Sequence, residues 1–217
     1  MVAEAVNMWR RALAEFFGTA LMVGGGCASI AFGASDAVVS LSFGIAVTVA
    51  ILIFQPISGA HINPAVSLAF FRSGQLEREA LLPYIVAQLS GASVAAFLLQ
   101  GAGPTKIAAD VSLPAAGLIE VFITFSLMAS IYWIVIRSQT HVSIAIFVGF
   151  VVGLLALLFG PLTGASMNPA RTFGPNLFAG ETSSIAFYSF TTALGAWIAA
   201  EIFVRMKLGN DATESQD

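Results

Sequence analysis

The chain has 217 residues, of which 58% are hydrophobic and only 10% charged, and its formal net charge is -3. That is too apolar for a soluble domain and matches a chain that crosses a membrane several times. The slight acidic excess argues against a nucleic-acid partner, and the single cysteine, Cys27, excludes an internal disulfide.

A helix needs about 18 to 20 apolar residues to cross the roughly 30 Å hydrocarbon core. Six runs reach that length: residues 9–32, 38–57, 80–100, 113–136, 142–160 and 184–206. The first opens with Arg10 and Arg11, as a signal peptide would, but the apolar stretch after them exceeds a signal core of about 7 to 15 residues. It also contains Glu15, so it reads as a retained first span, with Cys27 inside it as a small packed thiol. After the second run comes "SGAHINPAV", residues 58–66, which sets His61, Asn63 and Pro64 in an apolar setting. The fourth run carries Glu120, and the fifth opens beside His141, read as an exposed residue. Gly149 and Gly153 in that run suit close helix contact. "TGASMNPAR", residues 163–171, follows, and the last run carries Glu201 and Arg205, spaced to pair on one helix face.

Six spans put both termini on one side. That side holds Arg10, Arg11, Arg72, Arg78, Arg137, Arg205 and Lys207, whereas the other side has Lys106. Short cytoplasmic loops retain positive charge, so both termini are expected in the cytoplasm and the chain in the cell membrane.

The two quoted stretches are copies. Asn63 and Asn168 are 168 − 63 = 105 residues apart, and Glu15 and Glu120 share that spacing, 120 − 15 = 105. The chain therefore reads as one membrane domain, 1–217, built of a repeat over about 1–103 and another over about 104–217. Three spans per repeat is an odd number, which inserts the second repeat upside down.

After Pro64 and after Pro169 only about nine residues remain before a polar or glycine break. A helix that long covers roughly 14 Å, half the apolar thickness, so two such helices from opposite faces meet at the midplane. Asn is a favoured N-cap and Pro a favoured first residue. Capping uses the asparagine oxygen, which leaves each amide NH₂ free to aim at a lumen where two positive helix ends converge. Ala65 and Ala170 are small enough for the proline turns to touch. Such a site orients the oxygen of water or a neutral hydroxyl and repels cations, including hydronium.

Paired Asn-Pro-Ala half-helices in inverted repeats, with "AEFFGT", "AQLSGA" and "GASMNPARTFGP" around them, resemble the aquaporin, or major intrinsic protein, family over residues 9–206. The flanks are most similar to the nodulin-26-like branch and its bacterial relatives. The resemblance implies an all-α membrane fold, with six spanning helices and two re-entrant half-helices in a right-handed bundle. It further implies a homotetramer in membrane lipid with a pore in each subunit, and no cofactor or metal. Counting from the two asparagines, it maps an outer filter onto Phe43, Ala156, Ala165 and Arg171. Phe43 and Arg171 fit the water-channel pattern, but Ala156 stands where water channels carry histidine. Thr172 replaces the aspartate of glycerol facilitators. Two alanines imply a wider, less polar aperture, passing water with glycerol, urea or undissociated metalloid acids such as arsenous or boric acid. Ala165 stands where a mercury-sensitive cysteine often occurs.

Arg171, a charge within the spanning region, is costly unless it lines water, so it is read as functional. Glu15 and Glu120 are read as braces that accept orphan N–H groups from the loops before the half-helices, and His61 as packing beside the inner vestibule. The alternatives are a strict water channel and an ion-coupled transporter, since broken helices in inverted repeats also build transporters. An adhesion protein would have little outer-loop surface to bind with. No nucleophile with a base and no phosphate loop argues for an enzyme.

Overall fold

A computed structural model describes residues 7–138 and 140–214, without side chains beyond residue 207. All regular structure among them is helical: α1 (Met8–Ala31), α2 (Asp36–Ser58), α3 (Pro64–Arg72), α4 (Arg78–Leu98), α5 (Leu113–Arg137), α6 (His141–Thr163), α7 (Pro169–Ala179) and α8 (Ile185–Glu214). A single 3-10 turn, Thr182–Ser184, precedes α8. Six of the helices are long and apolar enough to span a bilayer, while α3 and α7 have 9 and 11 residues. The six spans fall where the apolar runs predict them. Two ends differ. α6 continues through Pro161 to Thr163, past the expected stop at 160, and α8 runs beyond 206 to Glu214. Proline near a helix end forfeits one backbone bond without stopping the chain, and Pro56 lies at the corresponding place in α2. The first six and last three residues, where the termini lie, fall outside the described residues.

Side-chain size sorts the two surfaces of the bundle. Outward faces carry large apolar groups such as Phe97, Leu118, Phe150 and Phe190, all more than half exposed. The helix contacts inside use small residues. A Cβ on Gly149 would come within 1.9 Å of Thr48 Oγ1 and 2.5 Å of the Gly44 carbonyl, so α2 and α6 touch through backbone. Gly91 meets the Phe16 carbonyl in the same way, at 2.2 Å, between α4 and α1. This arrangement suits a lipid solvent, where close backbone approach and van der Waals packing replace the hydrophobic effect between helices. The protein is a multi-pass membrane protein.

The half-helices cross over. α3 packs mainly against α8, the last helix of the second half, and α7 mainly against α4, the last helix of the first. Each thereby closes the opposite half of the bundle and brings its N-terminus to the molecule's middle.

Candidate functional site

A cavity of about 300 Å³ runs between the two halves, from Ala34 and Asp36 at the start of α2 to Phe70 and Val135 near the other end of the bundle. Its wall includes the loops that precede both half-helices and all of Phe43, Asn63, Ala156, Ala165, Asn168 and Arg171.

The approach loops are irregular, and their conformation is imposed. Gly59 and Gly164 end α2 and α6 in the left-handed region, at φ 87° and 76°. Ala60 and Ile62 then adopt φ 48° and 46°, and Ala165 and Met167 adopt 41° and 52°. Left-handed backbone costs roughly 1–3 kcal/mol at each residue with a side chain, and persists only where the surroundings enforce it. The enforcing groups are the two buried glutamates. Glu15 accepts the N–H of His61 at 2.9 Å and of Ile62 at 2.6 Å, the Ser58 hydroxyl at 2.7 Å and the Gln88 amide at 2.8 Å. Glu120 accepts the N–H of Ser166 at 3.0 Å and of Met167 at 3.1 Å, and the Thr163 hydroxyl at 2.7 Å. The same backbone groups are thus held in both loops.

Each asparagine caps as its position predicts. Asn63 Oδ1 accepts from Ala65 N at 2.8 Å; Asn168 Oδ1 accepts from Ala170 N at 2.9 Å and Arg171 N at 3.4 Å. Pro64 and Pro169 take the first helical positions, and Ala65 and Ala170 are buried where the two turns meet. The amides, however, are only half free. Asn63 Nδ2 donates to the Met167 carbonyl at 2.8 Å, and Asn168 Nδ2 to the Ile62 carbonyl at 2.9 Å. One hydrogen of each NH₂ ties the cap to the opposite loop, because a left-handed residue turns its carbonyl toward the facing asparagine. The second hydrogen remains for the cavity.

The Arg171 guanidinium lies 4.7 Å from the Phe43 ring centroid. Its Nη1 donates to the Gly103 carbonyl at 2.7 Å and lies 3.8 Å from Cys27 Sγ. Ala156 and Ala165 line the same cavity. The loop that supplies Gly103 is stapled by Asn176, which accepts from Thr105 N at 2.7 Å and donates to the Thr105 carbonyl at 3.0 Å. Thr172, Thr105 and Ser166 form a hydroxyl chain at 2.8 and 2.6 Å.

Cys27 is fully buried behind Arg171, and Ala165 carries no thiol. Mercurials are therefore expected to leave transport nearly unchanged in a vesicle swelling assay. Strong inhibition that survives Cys27→Ser would contradict the assignment of Ala165 to the cavity wall.

His61 lines the cavity, stacked on Phe70 at 4.8 Å and set edge-on to Tyr84 at 5.2 Å, with Nδ1 3.1 Å from Ser67 Oγ. Glu201 pairs with Arg205 at 3.3 Å, and also with Arg72 at the end of α3, a partner that spacing along one helix does not reveal. His141 is exposed at the start of α6.

Two tyrosines escaped the sequence reading. Tyr84 donates to the Ser58 carbonyl and Tyr188 to the Thr163 carbonyl, each at 2.7 Å, holding the last carbonyls of α2 and α6. Their spacing, 188 − 84 = 104, lies one residue from the repeat register and was the signal available. Tyr84 is reached in turn by Arg11, which pairs with Glu77 at the start of α4. The hydrogen bond from Arg11 holds the Glu77 carboxyl below its ordinary range.

Residues 2–203 match the family model "Major intrinsic protein", and the chain belongs to that family. It is 34% identical to aquaporin NIP1-1 of Zea mays, covering 95% of this chain and 78% of the relative. It is equally 34% identical to aquaporin AqpM of Methanothermobacter thermautotrophicus, covering 90% and 96%. An X-ray structure of the aquaglyceroporin from Plasmodium falciparum shares the fold, with a TM-score of 0.80 at 23% identity over 92% of this chain and 95% of that one. The family is one of membrane channels, not enzymes.

Proposed function

We propose that the protein is a passive channel for water and small uncharged solutes, among them glycerol, urea and undissociated boric or arsenous acid, and that it excludes ions and protons. The observation that carries this reading is the convergence of two half-helix N-termini, each capped by an asparagine with one amide hydrogen left over, on a single cavity. Two positive helix ends disfavour a cation at that point, while two donors receive a solute oxygen. A water so held turns its hydrogens outward, and the proton-conducting file is interrupted.

Solute size is assigned to Phe43, Ala156, Ala165 and Arg171, which line one cavity and pair two small residues with a ring and a guanidinium. Ala156→His introduces an imidazole at that point. It is expected to lower glycerol and urea permeability about tenfold while water changes far less, since small steric differences in a tight site discriminate by that order. Stopped-flow light scattering on reconstituted vesicles reads both rates.

On the same reading, residues 1–217 form one channel domain whose repeats meet near 103 and 104, assembled as a homotetramer in the cell membrane. The bias of arginines toward the loops holding Arg72, Arg78 and Arg137 supports cytoplasmic termini.

The deciding experiment is reconstitution of the purified chain in liposomes, with water, glycerol and urea rates from light scattering and direct uptake of boric and arsenous acids. Acceleration of water alone would refute the wide aperture. Transport that saturates and follows an ion gradient would refute the channel.

A further inference from the structure

Gly26 lies on α1 midway between Met22 and Ile30, four residues from each, and both of these line the cavity. Residues four apart share one helix face, so this face presents three positions to the lumen, and the middle one has no side chain. Its place is taken by another helix. A Cβ built on Gly26 would fall 2.2 Å from both Cδ1 and Cε1 of Phe43 and 2.5 Å from Cζ. The same ring lies against Arg171, with the guanidinium carbon 4.7 Å from its centroid. The next residue on α1, Cys27, has its sulfur 3.8 Å from Arg171 Nη1. α1 therefore backs both bulky members of the constriction.

We propose that Gly26 is a positioning residue for the solute constriction. By lacking a side chain it lets the Phe43 ring withdraw into α1, and so it sets the aperture available to polyols and urea. The proposal rests on the channel reading above. Carbon atoms in ordinary contact sit about 3.5–4.0 Å apart, so a methyl group at position 26 must drive the ring away by more than about 1 Å. Phe43 is helical, where few χ1 rotamers are open, and its ring lines the lumen. A methyl group at position 26 thus narrows the passage by moving the Phe43 ring, without replacing any residue that lines the cavity.

The test compares four full-length proteins in liposomes: wild type, Gly26→Ala, Phe43→Ala and the double variant, each assayed for water and glycerol permeability. Gly26→Ala is expected to lower the glycerol-to-water ratio about tenfold, the low end of what one methylene does in a tight site. With the ring removed, the same substitution is expected to have no effect, so the double variant matches Phe43→Ala. An unchanged ratio in Gly26→Ala overturns the proposal. So does an equal loss with and without the ring, which would mean general damage to helix packing. If Gly26→Ala alone fails to yield folded protein, its recovery by Phe43→Ala supports the contact, and continued failure overturns it. A wild type that conducts neither water nor glycerol sinks the channel reading instead.

Discussion

Glu120→Leu is expected to yield little or no folded protein. Glu120 is fully buried and accepts three hydrogen bonds, two of them from the backbone of a loop held in left-handed conformations. Each buried donor left without a partner costs about 1–3 kcal/mol. The sum is comparable with the roughly 5–15 kcal/mol that stabilises a whole domain. Glu120→Gln keeps one acceptor oxygen but points an NH₂ at a second donor, so it should fall between wild type and leucine. The measurement is the yield of monodisperse protein in detergent and its unfolding temperature. A leucine variant with wild-type yield and unfolding temperature would show that the loop keeps its shape without the carboxylate.

Arg171→Val is expected to have the largest effect on selectivity. The guanidinium puts a positive charge on the cavity wall, held by the Gly103 carbonyl and set against Phe43. Two unit charges about 4 Å apart interact by about 4 kcal/mol at an effective dielectric near 20. Even after a generous discount for water in the pore, its removal should raise proton or cation leak by at least about tenfold. Glycerol and urea should also pass faster, because valine is smaller and donates no hydrogen bond. Vesicles loaded with a pH-sensitive dye, assayed under a potassium diffusion potential, read the leak. Unchanged leak would place charge exclusion wholly at the asparagine caps.

Much of this arrangement is legible in the sequence because it is local or repeated. Apolar run length predicts the spans, and the short interval after Pro64 and Pro169 predicts half-helices. The 105-residue register links Glu15 with Glu120. What stays hidden depends on side chains reaching between helices distant in sequence. Gln88, bound to Glu15, and Asn176, bound to the Thr105 backbone, are ordinary amides until α1 and α4, or α7 and the loop before α5, are brought together. The half-engaged state of the two asparagine amides is hidden for the same reason. Capping rules describe one helix end at a time, and the second partner of each amide is a carbonyl from the other half of the chain. Gly26 illustrates the point most sharply, since a missing side chain announces nothing until the ring that fills its place is seen.

The crossed amide bonds also bear on how the chain is made. Asn63 finds its acceptor at Met167, and Ile62 its donor at Asn168, more than a hundred residues downstream. While the first half leaves the ribosome, its midplane loop has no protein partner for either group. Until α7 arrives, both groups must be satisfied by something other than their final partners. Synthesis order makes the last re-entrant helix the latch of the first.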